Sequence, residues 1–158
     1  MMLNKQFFKV IFLASFLAAC NAKTVEETRL AADTSTEVKI TDSWVRENAP
    51  GQSVGAAYMT LNSPQDSTLV YVETPAATTV EIHSMQMEND VMKMRMLEEL
   101  PLKAGKPEKL APGGFHLMLF DLTMPLKAGE KLNFKLCFKD KAGEITHQNI
   151  IVPVKSTD

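Results

Sequence analysis

From residue 38 onward, apolar and polar positions alternate with the period of two that marks strands with unlike faces. The clearest run is Lys131–Phe138. Leu132, Phe134, Leu136 and Phe138 fall on one face, and Lys131, Asn133, Lys135 and Cys137 on the other. Comparable β-rich runs recur at intervals of roughly 8–15 residues, separated by turn-forming residues. They cover Val38–Arg46, Gly55–Leu61, Ser67–Glu73, Thr78–Met87, Val91–Leu97, Phe115–Phe120, Lys131–Asp140 and Glu144–Val154. Asn48-Ala49-Pro50-Gly51 and Asn62-Ser63-Pro64-Gln65-Asp66 supply the first two breaks. Pro101, Pro107, Pro112, Gly113 and Gly114 bar a helix between Leu100 and Gly114. Val91–Leu97 contains good helix formers, but the hairpin signal before it favours a strand. Seven or eight short strands in about 115 residues predict an all-β fold, an antiparallel β-sandwich.

The first residues obey a different pattern. Lys5 and Lys9 precede an uncharged, mostly apolar run from Val10 to Ala19. Spanning a bilayer takes about 20 apolar residues, so this run suits a signal-peptide core better than a transmembrane helix. It ends in Leu17-Ala18-Ala19-Cys20, which resembles a bacterial lipobox. Residues 1–19 are therefore expected to be a cleaved leader, with Cys20 lipidated and first in the mature chain. Asn21, where an acidic residue could have stood, favours the outer membrane by resemblance to Gram-negative lipoproteins. Residues 20–37 are polar, lack aromatics and read as a tether between lipid and a domain over 38–158. The expected location is thus periplasmic and membrane-anchored.

Composition narrows the function. Losing the leader removes two lysines and no acid, leaving 15 basic and 19 acidic residues. That balance argues against nucleic-acid binding. Cys137 is the only mature cysteine besides Cys20, so no internal disulfide is available. No Walker A loop, G-x-S-x-G or H-E-x-x-H occurs, and no base-activated nucleophile is visible. The expectation is a monomer that is not an enzyme.

Ten methionines stand against three histidines and one tryptophan. Strand periodicity places His83, Met85 and Met87 on one face, Met92, Met94 and Met96 on one face of the next strand, and His116 with Met118 on a third. A two-residue turn at Asn89-Asp90 would set Met85 opposite Met94 and His83 opposite Met96. Opposed Cβ atoms would lie about 4.5–5.5 Å apart, close enough for their side chains to share an ion. Thioether sulfur is soft and uncharged, and imidazole combined with thioether suits Cu(I). Outside the cytosol such donors also avoid the disulfide chemistry that threatens a thiol carrier. A methionine on a strand is ordinarily core filler, but two His-x-Met pairs around a Met-x-Met are not accounted for that way. His147, with no methionine near it, reads as an ordinary surface residue.

The spacing His83, ten residues, Met94, twenty-one residues, His116, one residue, Met118 resembles the H-x10-M-x21-H-x-M pattern of the periplasmic copper chaperones called PCuAC. Ala57-Tyr58-Met59, Val91 to Arg95, Pro112 to Leu119 and Pro125 to Glu130 extend the similarity over roughly Val38 to Val154. The resemblance implies a cupredoxin-like sandwich. It also implies a Cu(I) site at His83, Met94, His116 and Met118, and delivery of copper to the CuA centre of cytochrome c oxidase, directly or through a thiol chaperone. Met85 and Met96 are additional thioethers, as rim contacts or alternative ligands. The chain ends without the His/Met-rich tail of some members, which argues against a separate Cu(II) site. Two rivals stand beside this reading. A blue-copper centre would need the Cys137 thiolate with two histidines, yet Phe138-Lys139-Asp140-Lys141 follows it without one. A metal-free structural or protein-binding lipoprotein with an immunoglobulin-like sandwich would use the same fold.

Overall fold

The computed structural model describes residues 36–156. The leader, Cys20 and the tether through residue 35 lie outside the described residues. Ten strands follow in chain order: β1 (Lys39–Arg46), β2 (Gly55–Asn62), β3 (Ser67–Glu73), β4 (Ala77–Glu88), β5 (Val91–Leu97), β6 (Leu100–Leu102), β7 (Glu108–Leu110), β8 (His116–Leu122), β9 (Lys131–Asp140) and β10 (Ile145–Lys155). All eight expected strands are present, including Val91–Leu97. Strands β6 and β7 are additions from the segment read only as non-helical; each is three residues long and pairs along one edge.

The strands are ordered β5-β4-β8-β2-β1-β10-β9-β3-β6, with β7 also against β2. Every pair is antiparallel except β1 with β10, which departs from the fully antiparallel sheet expected. That parallel seam consists of Val45 opposite Val154 and Arg46 opposite Lys155, and it joins two halves. Their inner faces share one core. Val45, Met59, Leu61, Leu117 and Leu119 come from the β5-to-β1 half, and Leu69, Phe134, Leu136 and Val152 from the other. Burying a side chain of this size contributes about 1.5–3 kcal/mol, so this shared core is what makes a sandwich of the two halves.

Along β9 the expected alternation holds, with Leu132, Phe134, Leu136 and Phe138 all in the core. Cys137 shares the opposite face with Lys131, Asn133 and Lys135 but is fully buried. Its direct cross-strand partners are Tyr71 on β3 and His147 on β10, whose rings lie 6.2 Å apart. His147 itself is exposed, as expected.

At one end of the molecule Asp66 ties three turns together. Its carboxylate accepts a 2.8 Å hydrogen bond from the Ala104 N–H and pairs with Lys141 at 3.0 Å and Lys103 at 3.7 Å. The Ala104 amide first, and then Lys141, hold its pKa down from 3.8 to about 2. A depressed carboxylate pKa contributes stability that is complete above the unfolded value and is lost as pH falls through the folded one. Asp66→Asn should therefore lower the urea midpoint at neutral pH, and the gap to wild type should close as pH falls from 3.8 toward 2. A gap that stays constant through that window would show that the carboxylate does not tie these turns.

Candidate metal centre

Strand β4 presents alternate residues to alternate faces. Ile82 enters the core while His83 and Met85 face outward. On β8, Leu117 and Leu119 enter the core while His116 and Met118 face outward. The register pairs Ile82 with Leu117 and His83 with His116 directly. The two imidazoles thus lie side by side on the outer face, ring centroids 5.8 Å apart, both nearly buried.

The expected hairpin is present. Asn89 and Asp90 have φ of 51° and 62°, the left-handed pair that a type I′ turn demands. The register pairs His83 with Met96, Met85 with Met94 and Met87 with Met92. On β8, Met118 pairs with Glu81 of β4. The His83–His116 row is therefore flanked on one side by Met94 and on the other by Met118. Met85, Met94, His116 and Met118 line one cavity of about 340 Å³, which Tyr58, Arg46 and the loop between β1 and β2 help to enclose. His83 borders this group through His116 but does not line the cavity, and neither does Met96, which is exposed. Burial pushes the Tyr58 phenol above its usual pKa, and the nearby Arg46 guanidinium opposes the shift, so the phenol stays neutral. Arg46 stacks over that ring at 5.6 Å.

Two partners orient the imidazoles. His116 Nδ1–H donates to the Gly114 carbonyl at 3.0 Å, which leaves Nε2 with its lone pair. The same carbonyl accepts the Met85 N–H at 3.2 Å, so one atom fixes both the loop before β8 and the ring. Gly113, at φ 82°, supplies the left-handed residue this loop needs. His83 Nε2–H donates to the Glu81 carboxylate at 2.7 Å. Its Nδ1 is then a bare acceptor, buried and without a hydrogen-bond partner. An orphaned buried acceptor costs about 1–3 kcal/mol. A soft cation is a fitting partner for that nitrogen, and the thioethers beside it are of matching character.

Glu81 was not among the residues singled out from sequence, although Glu81-x-His83 on one strand face was the available signal. Tyr58 reaches the cavity from β2 and Arg46 from β1; Tyr58 entered the sequence reading only within Ala57-Tyr58-Met59, with no role, and Arg46 carried no local signal. Cys137 lies on β9 in the other half of the sandwich, between Tyr71 and His147. That placement removes the blue-copper rival, whose thiolate would have to join the histidine pair. Among the described residues no three His, Cys, Asp or Glu side chains converge as a metal site, so the thioethers are needed to complete any coordination here.

Comparisons with known proteins agree with this architecture. Residues 38–154 match the model of LpqE-like lipoproteins. A protein of Leifsonia xyli subsp. xyli named as a lipoprotein, Lxx21020, is 31% identical over 121 residues, covering 75% of this chain and 69% of its own length. The solution structure of the Cu(I) form of DR1885 from Deinococcus radiodurans is 33% identical with a TM-score of 0.60, covering 80% of this chain and 84% of that one. The copper-bound PCuAC domain from PmoF2 is 22% identical with a TM-score of 0.60, covering 75% and 92%. That last likeness bears on fold alone. The PCuAC resemblance and the cupredoxin-like sandwich expected from sequence are both borne out.

The hydrogen bonds described make the two rings opposite tautomers. Long-range nitrogen NMR at neutral pH should find His83 protonated at Nε2 and His116 at Nδ1. Glu81→Ala should blur the first assignment and leave the second untouched. Identical tautomers at the two rings would contradict the geometry.

Proposed function

The chain belongs to the LpqE-like lipoprotein family, and from that premise we propose that it is an extracytoplasmic carrier of Cu(I), lipid-anchored through Cys20. The observation that carries this reading is the imidazole pair. His83 and His116 are direct cross-strand partners, each with one nitrogen left as a free lone pair, and Met94 and Met118 flank them. Copper is the cargo. His83 Nδ1, His116 Nε2 and the sulfurs of Met94 and Met118 are the proposed donors, and the Cu(I) form of DR1885, 33% identical, supports the choice of ion. Met85 stands at the cavity as an auxiliary donor and Met96 outside it.

The donor set suits transfer. Four neutral ligands leave no unpaired buried charge behind when the monocation departs. Glu81 holds the His83 tautomer and ring orientation from outside the ligand set. Met94 is 49% exposed whereas both histidines are nearly buried. Met94 is therefore where an incoming thiolate enters, while the imidazoles hold the ion until exchange is complete. The acceptor we propose has Cys ligands: the CuA site of cytochrome c oxidase, reached directly or through a thiol chaperone. The lipobox-like sequence before Cys20 and the lipoprotein relative support anchoring. The tether of 16 residues to the first described one would reach about 55 Å at full extension, so the carrier works close to its membrane. The outer membrane is the proposed one, on Asn21.

Competition with a chromophoric Cu(I) chelator tests the site. His116→Ala and Met118→Ala should each weaken Cu(I) binding far more than His147→Ala. Glu81→Ala should cost about 10–100-fold, the usual penalty for removing a partner that orients a ligand. Equal effects at 116, 118 and 147 would sink the assignment.

Transfer is tested by mixing the Cu(I)-loaded protein with an apo acceptor that carries a Cys-ligated site, with a tight chelator as trap. Copper should reach the acceptor without first appearing in the trap. Appearance in the trap first would mean release as free ion and would reject the carrier reading.

A further inference from the structure

The β4–β5 hairpin carries more sulfur than the four-donor site uses. On its outward face every position of the three rungs is His or Met: His83 with Met96, Met85 with Met94, and Met87 with Met92. The opposite face is polar, with Gln86, Glu88, Lys93 and Arg95. Methionine's usual role as core filler does not apply at the tip, because Met87 is 63% and Met92 44% exposed. The ribbon that carries them is closed by a tight turn and cross-linked on its polar face. Its two-residue turn is in the left-handed conformation at both positions. Glu88 on the polar face pairs with Lys93 at 2.9 Å and also with Arg95. Those partners hold its carboxyl below the usual range, Lys93 first, and keep it ionised at neutral pH.

We propose that Met87 and Met92, joined by Met85 from the next rung, form a second and weaker Cu(I) site at the hairpin tip, through which copper enters and leaves the cavity. The proposal rests on the copper-carrier reading. Directly opposed Cβ atoms lie about 4.5–5.5 Å apart and diagonal ones about 7–8 Å, distances that flexible thioether side chains close around one ion. Three thioethers and no nitrogen or carboxylate make the tip a softer and less basic site than the histidine pair, hence weaker, and selective for Cu(I) over divalent ions. Met85 belongs to both places, since it lines the cavity and neighbours the tip pair. An ion held at the tip is thus one rung from the cavity, and passing it inward exchanges one thioether at a time.

The test is anaerobic titration of the full chain with Cu(I) alone, following the methionine ε-methyl signals by NMR. The first equivalent should shift Met94 and Met118, and the second should shift Met87 and Met92. In the double variant Met87→Leu/Met92→Leu, the protein should take up one equivalent instead of two, with the affinity of the first unchanged. Leucine at these exposed positions preserves volume, so the fold should be unaffected. Wild-type binding that stops at one equivalent, or a second equivalent that survives in the double variant, overturns the tip site. His116→Ala keeps the two readings apart. It should abolish the first equivalent and leave the response of Met87 and Met92 in place. If it leaves the first equivalent intact, the cavity assignment fails, while a tip response that persists still upholds the second site.

Discussion

The contact on which the site depends is hydrophobic and lies on the far side of the sheet. Ile82 and Leu117 are direct cross-strand partners in the core, one residue away from His83 and His116. A slip of β4 by one residue against β8 would drive His83 into the core and Ile82 into water, and break the histidine pair. Burying an aliphatic pair such as Ile82 and Leu117 is worth about 3–6 kcal/mol, at roughly 1.5–3 for each side chain. Two polar rings gain nothing comparable from pairing with each other. The geometry of the candidate centre is therefore held by residues that touch no ligand.

Given that register, two oxygens decide what the rings can do. The Gly114 carbonyl and the Glu81 carboxylate each accept one ring N–H and leave the other nitrogen bare. Each ring thereby has one nitrogen engaged and its orientation set before any ion arrives. The cost is an orphaned nitrogen at His83, a local instability of the kind that functional sites carry and the surrounding sandwich sustains. Because the thioether and imidazole donors of the proposed set carry no charge, release of a monocation leaves no unpaired buried charge behind.

Local features were legible in the sequence to the extent that period and turn chemistry encode them. The hairpin register followed from Asn89-Asp90 and from the spacing of His and Met, and the structure has that register. Strands β6 and β7 escaped because three residues, with Pro101 inside β6 and Pro107 just before β7, are too short to display a period. The burial of Cys137 escaped because the alternation of β9 cannot announce which rings on β3 and β10 will cover it. The same non-local logic hid Tyr58 and Arg46, brought to the cavity by strand order. Glu81 was legible in principle, two residues from His83 on one face, but a carboxylate on a strand has many ordinary uses. The parallel seam was invisible, since nothing local couples Val45 to Val154.

That seam has a consequence for how the chain acquires its fold. The two halves join where the first strand meets the last, at Val45–Val154 and Arg46–Lys155. The join is reinforced by Glu47 donating to the Lys155 carbonyl and by Val154 donating to Glu130. The contacts that β1 and the residue after it make with β10 span more than a hundred residues of sequence, and contacts of such separation are slow to form. A chain threaded N-terminus first through a membrane delivers β10 after every other strand. Until it arrives, β1 has an open edge and the core lacks Val152 and Val154. In a chain exported as proposed, the sandwich would therefore close only on the far side of the membrane.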